Sequence, residues 1–279
     1  MPRPPLAEEL LDNIVDNLHD VRGALKSCCL VSKSWIPRSR KLLFADVELL
    51  TSKQLRSWKT MFPDPSTSPA RYTKTLFIGC LCDATAADAE EGGWIPSFSR
   101  VVHLRLSIYR NGGFIPRSED LDISTAYSLV PFHAFSPALK SLHVYFYRFP
   151  VFRIFDLIYS FPNLKDLRLR VASWHWFTGR DHSDTHPAAV RPPNPPTFAG
   201  SLWLSMGKGM RLIASRLLSL PSGFHFRRLE LKIDCEEDVS SGVELVEGCS
   251  STLEFLKVDC KVPCVFVPHL HSRRQLTLI

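Results

Sequence analysis

Six segments of this 279-residue chain share one apolar pattern, and its recurrence restricts the possible folds more than any other feature. The pattern, apolar-x-x-Leu-x-apolar-x-apolar, occurs at residues 101–108, 139–146, 164–171, 200–206, 226–233 and 253–260. A period of two places alternate side chains on one face of a strand, so each segment is predicted to be a strand with one buried face. Weaker versions at 75–78 and 47–49 predict two more strands.

The spacing of these segments indicates a repeating array. Their central leucines lie about 25 to 38 residues apart, and helical patterns at 152–161, 210–220 and 243–246 fall between them. Alternating strands and helices predict a parallel sheet with helices on one side, and this period predicts a curved solenoid. The alternative is an ordinary α/β domain whose strands merely share apolar residues. In both versions each strand pairs with its neighbour in the array.

The stretch from residue 6 to residue 44 has a different pattern, typical of short amphipathic helices. Leu10, Ile14 and Leu18 recur at a spacing of four, and Leu11 and Val15 form a second row beside them. Such an arc is wider than one packing partner requires. One row can fill the core of the module while the other meets a partner; the alternative is a plain helical cap on the domain that follows.

The order of residues in this stretch resembles the F-box. The resemblance is carried by the opening Leu6-Ala7-Glu8-Glu9, an apolar helix, Val31-Ser32-Lys33-Ser34-Trp35 and the closing Leu43-Phe44, with Ala7 in place of the family's proline. It implies a three-helix module at residues 1–45 that docks a Skp-type adaptor. The implied adaptor-binding residues are Leu6, Ala7, Glu8, Leu10, Ile14, Val31, Ser32 and Trp35.

Residues 46–279 resemble the irregular leucine-rich-repeat arrays that often follow an F-box, although the Asn or Cys of regular repeats is mostly absent. Together the two resemblances imply a substrate receptor of an SCF-type cullin-RING ubiquitin ligase. The adaptor and the cullin scaffold would be partners of the first module, and the repeat domain would select a protein substrate. The alternatives are a non-ligase repeat scaffold that binds protein partners and a metal-dependent enzyme.

Residues that alternate with the apolar positions of the strands are predicted to face outward and form a continuous surface. Its mixture of charge and aromatic side chains suggests a substrate-binding site; the alternative is a set of ordinary exposed strand residues. The candidate substrate-binding residues are Arg105, His143, Arg168, Trp203, Arg228 and Phe255.

The sequence contains little evidence of a catalytic or metal-binding site. A loop with His182 and His186 is flanked by Gly179 and Pro187, which argue against a helix that would present both imidazoles to a metal. A second group resembles a set of zinc ligands: Cys260, Cys264, His269 and His271. Cys260, however, occupies a strand position that is predicted to face the core. There is no nucleophile elbow, phosphate loop or acid–base carboxylate pair. We therefore expect no catalytic residues, no metal and no cofactor.

Composition narrows the remaining classes of protein. The net charge is +6, but the basic residues are dispersed without the aromatic residues of a nucleic-acid surface, so nucleic-acid binding is not expected. No apolar run approaches the ~20 residues of a membrane span, and the first residues lack the apolar core of a signal peptide. We therefore expect a cytoplasmic or nuclear protein with eight reduced cysteines, and mobile insertions at 83–96 and 173–198.

Overall fold

The structure is a computed structural model that describes residues 8–79, 94–108, 132, 135, 138–146, 151–171, 196, 198–206, 210–220, 223–261 and 276–278. Several residues singled out in the sequence lie outside these ranges. Leu6, Ala7, the loop with His182 and His186, and the residues Cys264, His269 and His271 all lie outside the described residues, as does the side chain of Glu8.

Three α-helices form the N-terminal part: α1 (Glu8–Asp16), α2 (Arg22–Val31) and α3 (Ile36–Leu43), with a 3-10 turn at Lys33–Trp35 between α2 and α3. Their apolar faces meet in a small core in which Val15, Leu25 and Cys28 are buried. A proline in the first turn of α3 suits a helix start, where its missing N–H has no partner to lose.

The rest of the chain is organised around one parallel sheet. Its strands are β1 (Asp46–Leu49), β2 (Thr75–Ile78), β3 (His103–Ile108), β4 (Ser141–Phe146), β5 (Asp166–Val171), β6 (Ser201–Met206), β7 (Arg228–Ile233), β8 (Phe255–Cys260) and β9 (Leu276–Leu278). Their order in the sheet is their order in the chain, and every pair is parallel. The predicted strands and their pairing with neighbours are therefore confirmed.

The register confirms which strand residues face inward. The central leucines of successive repeats are direct partners across the sheet, from Leu76 on β2 to Leu256 on β8. These leucines are buried, and the burial of β5 alternates with a period of two. Inward strand residues and helix residues form one hydrophobic core, so the mixed α/β architecture is built on the buried face of the sheet.

A repeating backbone contact precedes most strands. In each case the carbonyl oxygen two residues before the central apolar residue of a strand accepts two hydrogen bonds. The donors are two consecutive backbone amides at the start of the next strand. The acceptors of this carbonyl ladder are Ala45, Lys74, Val102, Lys140, Gly200 and Arg227, with N···O distances of 2.7 to 3.3 Å. The same backbone contact therefore recurs at equivalent positions along the sheet.

The ladder changes between β5 and β6. There the Asp166 carboxylate accepts from both the backbone N–H and the hydroxyl of Ser201, at 2.9 and 2.7 Å. A Cβ at Gly200 would lie 2.6 Å from that carboxylate and 2.7 Å from the Lys165 carbonyl oxygen. Only glycine fits this close approach without a shift of the backbone.

The further α-helices among the described residues are α4 (Ser52–Met61), α5 (Val151–Tyr159), α6 (Met210–Leu218) and α7 (Val239–Gly248). Helix α5 packs on α6, and α6 packs on α7, which also contacts β7. Short 3-10 helices lie at Pro69–Tyr72, Ile95–Phe98 and Glu236–Asp238. Within the described ranges, every helix is too short or too polar to span a bilayer.

The described ends of the two insertions are packed into the protein. Ile95 lies near the end of the first insertion, Phe98 follows it and Phe198 ends the second, and all three are buried. The prediction that the insertions are mobile is therefore wrong for residue 95 and residue 198, because their apolar side chains fill the core. Most of both insertions lies outside the described residues.

An aromatic cluster joins the helices to the sheet. The Trp58 ring of α4 lies 6.0 Å from Phe44, 4.9 Å from Phe62 and 5.4 Å from Phe98, measured between ring centroids. The Phe44 carbonyl also accepts a 3.0 Å hydrogen bond from the Thr73 hydroxyl. The N-terminal helices and the sheet therefore share packing as well as a chain connection.

Candidate protein-interaction surfaces

Helix α1 presents one apolar row to solvent and another to the core. Leu10 is 52% exposed and Ile14 is 44% exposed, whereas Val15 is 1% exposed. The wide apolar arc predicted from the sequence is thus divided as expected between an inward and an outward row. Leu10 and Ile14 are two of the predicted adaptor-binding residues, and both are accessible to a partner.

The end of α2 adds two more exposed apolar side chains. Val31 is 67% exposed and Leu30 is 89% exposed. The helix ends here because Ser32 is extended and its hydroxyl accepts from the Ser34 N–H at 3.3 Å, which starts the next turn. Among the predicted residues Trp35 is half-buried, so it contributes to the local core as well as to any contact.

Leu30 was missing from the predicted site, although it directly precedes Val31, the first residue of the motif. A signal for it was present in the sequence. Leu25 and Cys28 define the inward row of α2, and a residue five positions after Leu25 falls on a different side of a helix with 3.6 residues per turn. An apolar residue off the inward row is a candidate for contact with a partner.

Exposed apolar side chains are concentrated in the N-terminal helices. Among the described residues, the exposed large apolar side chains are Leu10, Ile14, Val21, Leu30, Val31, Leu50 and Met61. Five of these seven precede residue 45, although that part is a small fraction of the chain. Single exposed apolar residues are normal, but such a concentration is typical of a surface that contacts another protein.

An ion pair links α1 to α3. The Arg38 guanidinium donates through Nε and Nη2 to the two carboxylate oxygens of Asp16. This hydrogen bonding lowers the pKa of the Asp16 carboxyl from its ordinary value. The pair is a direct contact between the end of α1, the helix that carries Leu10 and Ile14, and α3.

The second candidate surface is the outward face of the sheet. Arg105, His143, Arg168 and Trp203 are direct partners on adjacent strands, which places them in one row across β3 to β6. Arg228 and Phe255 lie in the neighbouring row on β7 and β8. The structure thus brings all six predicted substrate-binding residues onto one face, in two adjacent rows.

Aromatic contacts organise the middle of this face. The His143 and Trp203 rings meet edge to face, with centroids 6.3 Å apart. The Arg170 guanidinium lies over the Tyr145 ring, 5.3 Å from its centroid. Tyr145 and Arg170 were missing from the predicted site, but they follow His143 and Arg168 by two residues, so the same alternation places them on this face.

Arg228 has partners of its own. Its guanidinium lies 4.0 Å from the centroid of the Phe255 ring and donates from Nε to the Glu230 carboxylate at 2.8 Å. These contacts partly satisfy its charge. Arg228 and Phe255 therefore form a local cluster, distinct from the row that contains Arg105 and Arg168.

The His143 imidazole is half-buried in a positively charged environment. Burial, followed by the charges of Arg105, Arg168 and Arg170, lowers its pKa to about 4. The imidazole is therefore neutral at neutral pH. At the described outward positions of β3 to β6, the positive charge at neutral pH therefore comes from the arginines.

We expect the resonance of His143 in a proton NMR titration to shift with a midpoint near pH 4. Arg168→Gln should raise that midpoint only part of the way to 6.5, because burial is the larger cause. In the unfolded chain the pKa of His143 is near its ordinary value of 6.5, so the unfolded chain binds this proton more tightly than the folded protein does. His143 therefore lowers the free energy of unfolding as the pH falls from about 6.5 to about 4. A midpoint near 6.5 in the intact protein would show that the imidazole is solvated.

The described cysteines are buried or half-buried. Burial raises the pKa of Cys249 to about 12, and burial together with a hydrogen bond to Asp238 raises the pKa of Cys235 to about 11. Cys260 pairs in register with Ile233 and packs against the core, as its strand position predicted. No group of three or more potential metal ligands occurs within the part of the chain that the structure describes.

Comparisons with known proteins found no relative of this chain. No protein-family model matches the chain, and neither the curated proteins nor the solved structures contain a match.

Proposed function

We propose that this chain is the substrate-recognition subunit of an SCF-type cullin-RING ubiquitin ligase. Residues 1–45 act as an F-box-like module that docks a Skp-type adaptor and, through it, a cullin scaffold. Residues 46–279 form an irregular leucine-rich-repeat-like solenoid with a curved parallel sheet, and its outward face selects a protein substrate. The protein works in the cytoplasm or nucleus, and the chain itself makes or breaks no bond.

One observation carries the adaptor part of the proposal: Leu10, Ile14, Leu30 and Val31 are exposed on helices whose inward rows are already packed. Fully burying a Leu, Ile or Val side chain is worth roughly 1.5–3 kcal/mol relative to leaving it in water. A partner that covers these four side chains therefore gains a substantial driving force. Three of these four residues, Leu10, Ile14 and Val31, are also adaptor-binding residues implied by the F-box-like motif.

The order of the strands supports the repeat part of the proposal. A doubly wound α/β domain reverses its strand order near the middle of the sheet, whereas a stacked array adds each strand beside the previous one. Here the order β1 to β9 is sequential, and the carbonyl ladder recurs at equivalent positions. Both features favour repetition over an ordinary α/β domain.

The test is capture of a purified Skp-type adaptor by the full chain. We expect Leu10→Ser combined with Val31→Ser to lower adaptor affinity more than tenfold, since buried apolar anchors dominate such interfaces. Because both side chains are exposed in the free protein, the thermal unfolding midpoint should change little. Calorimetric titration and circular dichroism measure the two quantities.

Met61→Ser is the matched control, because Met61 is also an exposed apolar residue but lies on α4. It should leave adaptor binding unchanged. Unchanged binding in the double variant would refute this interface. Adaptor binding without recovery of a cullin from cells would instead favour a repeat scaffold with no ligase role.

A further inference from the structure

The outward face between β2 and β6 has more positive than negative charge. Its outward positions on these five strands carry three arginines, Arg105, Arg168 and Arg170, against one carboxylate, Asp166. That carboxylate already accepts two hydrogen bonds from Ser201. Among the described residues, no carboxylate forms an ion pair with any of the three guanidinium groups.

The three arginines are close enough to act on one ligand. Arg105 and Arg168 are two strands apart in the same row, which corresponds to ~10 Å between backbones, and Arg168 and Arg170 are ~7 Å apart on β5. All three side chains are exposed. Their charges also act on His143, whose pKa they lower together with the larger effect of burial.

Apolar contact area lies directly beside the charges. Trp203 follows Arg168 in the row, and Tyr145 lies under the Arg170 guanidinium. Both rings are half-buried, so each keeps a face or edge accessible to solvent. Aromatic and arginine side chains are the residues that most often dominate protein interfaces.

We propose that this arginine patch, defined as Arg105, Arg168 and Arg170 with the rings of Tyr145 and Trp203, binds an acidic segment of a protein partner. Guanidinium groups bind carboxylates through paired hydrogen bonds, so two or more Asp or Glu side chains satisfy the arginines. An apolar side chain of the same segment packs on Trp203. This inference rests on the proposed role of the outward face as a receptor surface, and it does not depend on adaptor docking.

The extent of the patch favours a peptide over a nucleic acid. In the same row, Glu48 lies on β1 and Glu230 on β7, so carboxylates occur on both sides of the arginines. Each strand of duplex DNA carries a phosphate about every 3.4 Å along the helix axis, so a nucleic acid needs a longer run of positive charge. A short acidic segment of a protein fits between the two glutamates.

The experiment pans a phage library of random 12-residue peptides on the purified full chain and on two double variants. Arg105→Ser with Arg168→Ser removes two charges from the patch. Arg56→Ser with Arg211→Ser is the matched control, because it removes two exposed arginines from α4 and α6. We expect selected peptides to be enriched in Asp and Glu relative to the unselected library.

A fluorescein-labelled copy of the most frequent acidic peptide should bind the patch variant more than tenfold more weakly and the control variant within twofold of the native chain. Added salt should weaken binding to the native chain, because exposed charges are screened. A selection without acidic enrichment, including one that yields no binders, overturns the inference. Equal loss in both double variants overturns it as well, because it indicates nonspecific attraction to net charge.

A twelve-nucleotide uridine RNA is the probe for the competing class of ligand. If it binds as tightly as the peptide and is lost in the patch variant, the surface is a nucleic-acid site and the inference is wrong. Adaptor capture is measured on the same variants. Capture without acidic selection refutes only this inference, while acidic selection without capture refutes only the ligase role.

Discussion

Replacing Trp58 by alanine is expected to lower the free energy of unfolding by about 3–5 kcal/mol, the usual cost of deleting a buried large aromatic side chain. Trp58 is buried and touches three other rings, Phe44, Phe62 and Phe98. Those rings come from the end of the N-terminal helices, the end of α4 and the 3-10 helix before β3. The loss should therefore weaken the helices and the sheet together, and denaturant unfolding measures it.

Met61→Ala on the same helix is the control, because Met61 is exposed and its replacement should change stability by no more than about 0.5 kcal/mol. Tryptophan-independent probes are needed, such as far-ultraviolet circular dichroism and hydrogen exchange of the N-terminal helices. Loss of protection in α1 to α3 is expected together with loss in β1 and β2. A Trp58→Ala protein with the stability of the native chain would contradict the packing role of this cluster.

The second large effect is expected at Asp238, whose carboxylate is buried between two helices. One oxygen accepts from the backbone N–H of Met210 at 2.9 Å, and the other accepts from the Cys235 thiol at 3.0 Å. The first contact satisfies an amide at the start of α6, where the helix has no internal acceptor. Asp238→Ala leaves that amide buried without this acceptor, so we expect a loss of about 3 kcal/mol in unfolding free energy.

Two variants separate this role from a general effect of charge. Asp238→Asn keeps an oxygen for the Met210 amide and should cost less than Asp238→Ala. Glu237→Ala removes the neighbouring carboxylate, which is exposed, and should be nearly neutral. Thermal unfolding of all three gives the comparison, and equal losses for Glu237→Ala and Asp238→Ala would rule out a specific cap on α6.

Strand positions were predictable because alternation has a simple cause, but strand starts were placed too early. The segment predicted at 139–146 begins as a strand only at Ser141, and that predicted at 164–171 begins at Asp166. Leu139 and Leu164 are buried all the same, in the turns that precede the strands. A buried apolar residue marks the core side of a turn as well as of a strand, so hydrophobicity alone does not separate them.

Helix α7 illustrates a second limit. Only 243–246 carried an apolar helical pattern, yet the helix begins at Val239. Ser241 and Gly242 are poor helix formers, yet both are buried in this helix, which packs on α6. Small residues suit a helix that lies close to its neighbours. Their value depends on a partner helix that a local sequence pattern does not reveal.

The candidate surfaces were predicted better in outline than in detail. The outward assignment of Arg105, His143 and Trp203 followed from alternation, which depends only on neighbouring residues. The Arg170 contact with Tyr145 depends on the register between two strands, and the Asp238 contact with Met210 joins residues 28 positions apart in sequence. Such contacts are set by the whole fold.

The carbonyl ladder has a consequence for how this protein can diversify. Main-chain atoms form the ladder, and inward leucines pack successive strands on the core. The outward side chains of Arg105, His143 and Trp203 supply none of the ladder contacts. Exchange of exposed side chains usually has little effect on stability. The outward face can therefore change in charge and shape while the sheet keeps its fold, so on the proposed receptor surface the preference for a partner can change without loss of the fold.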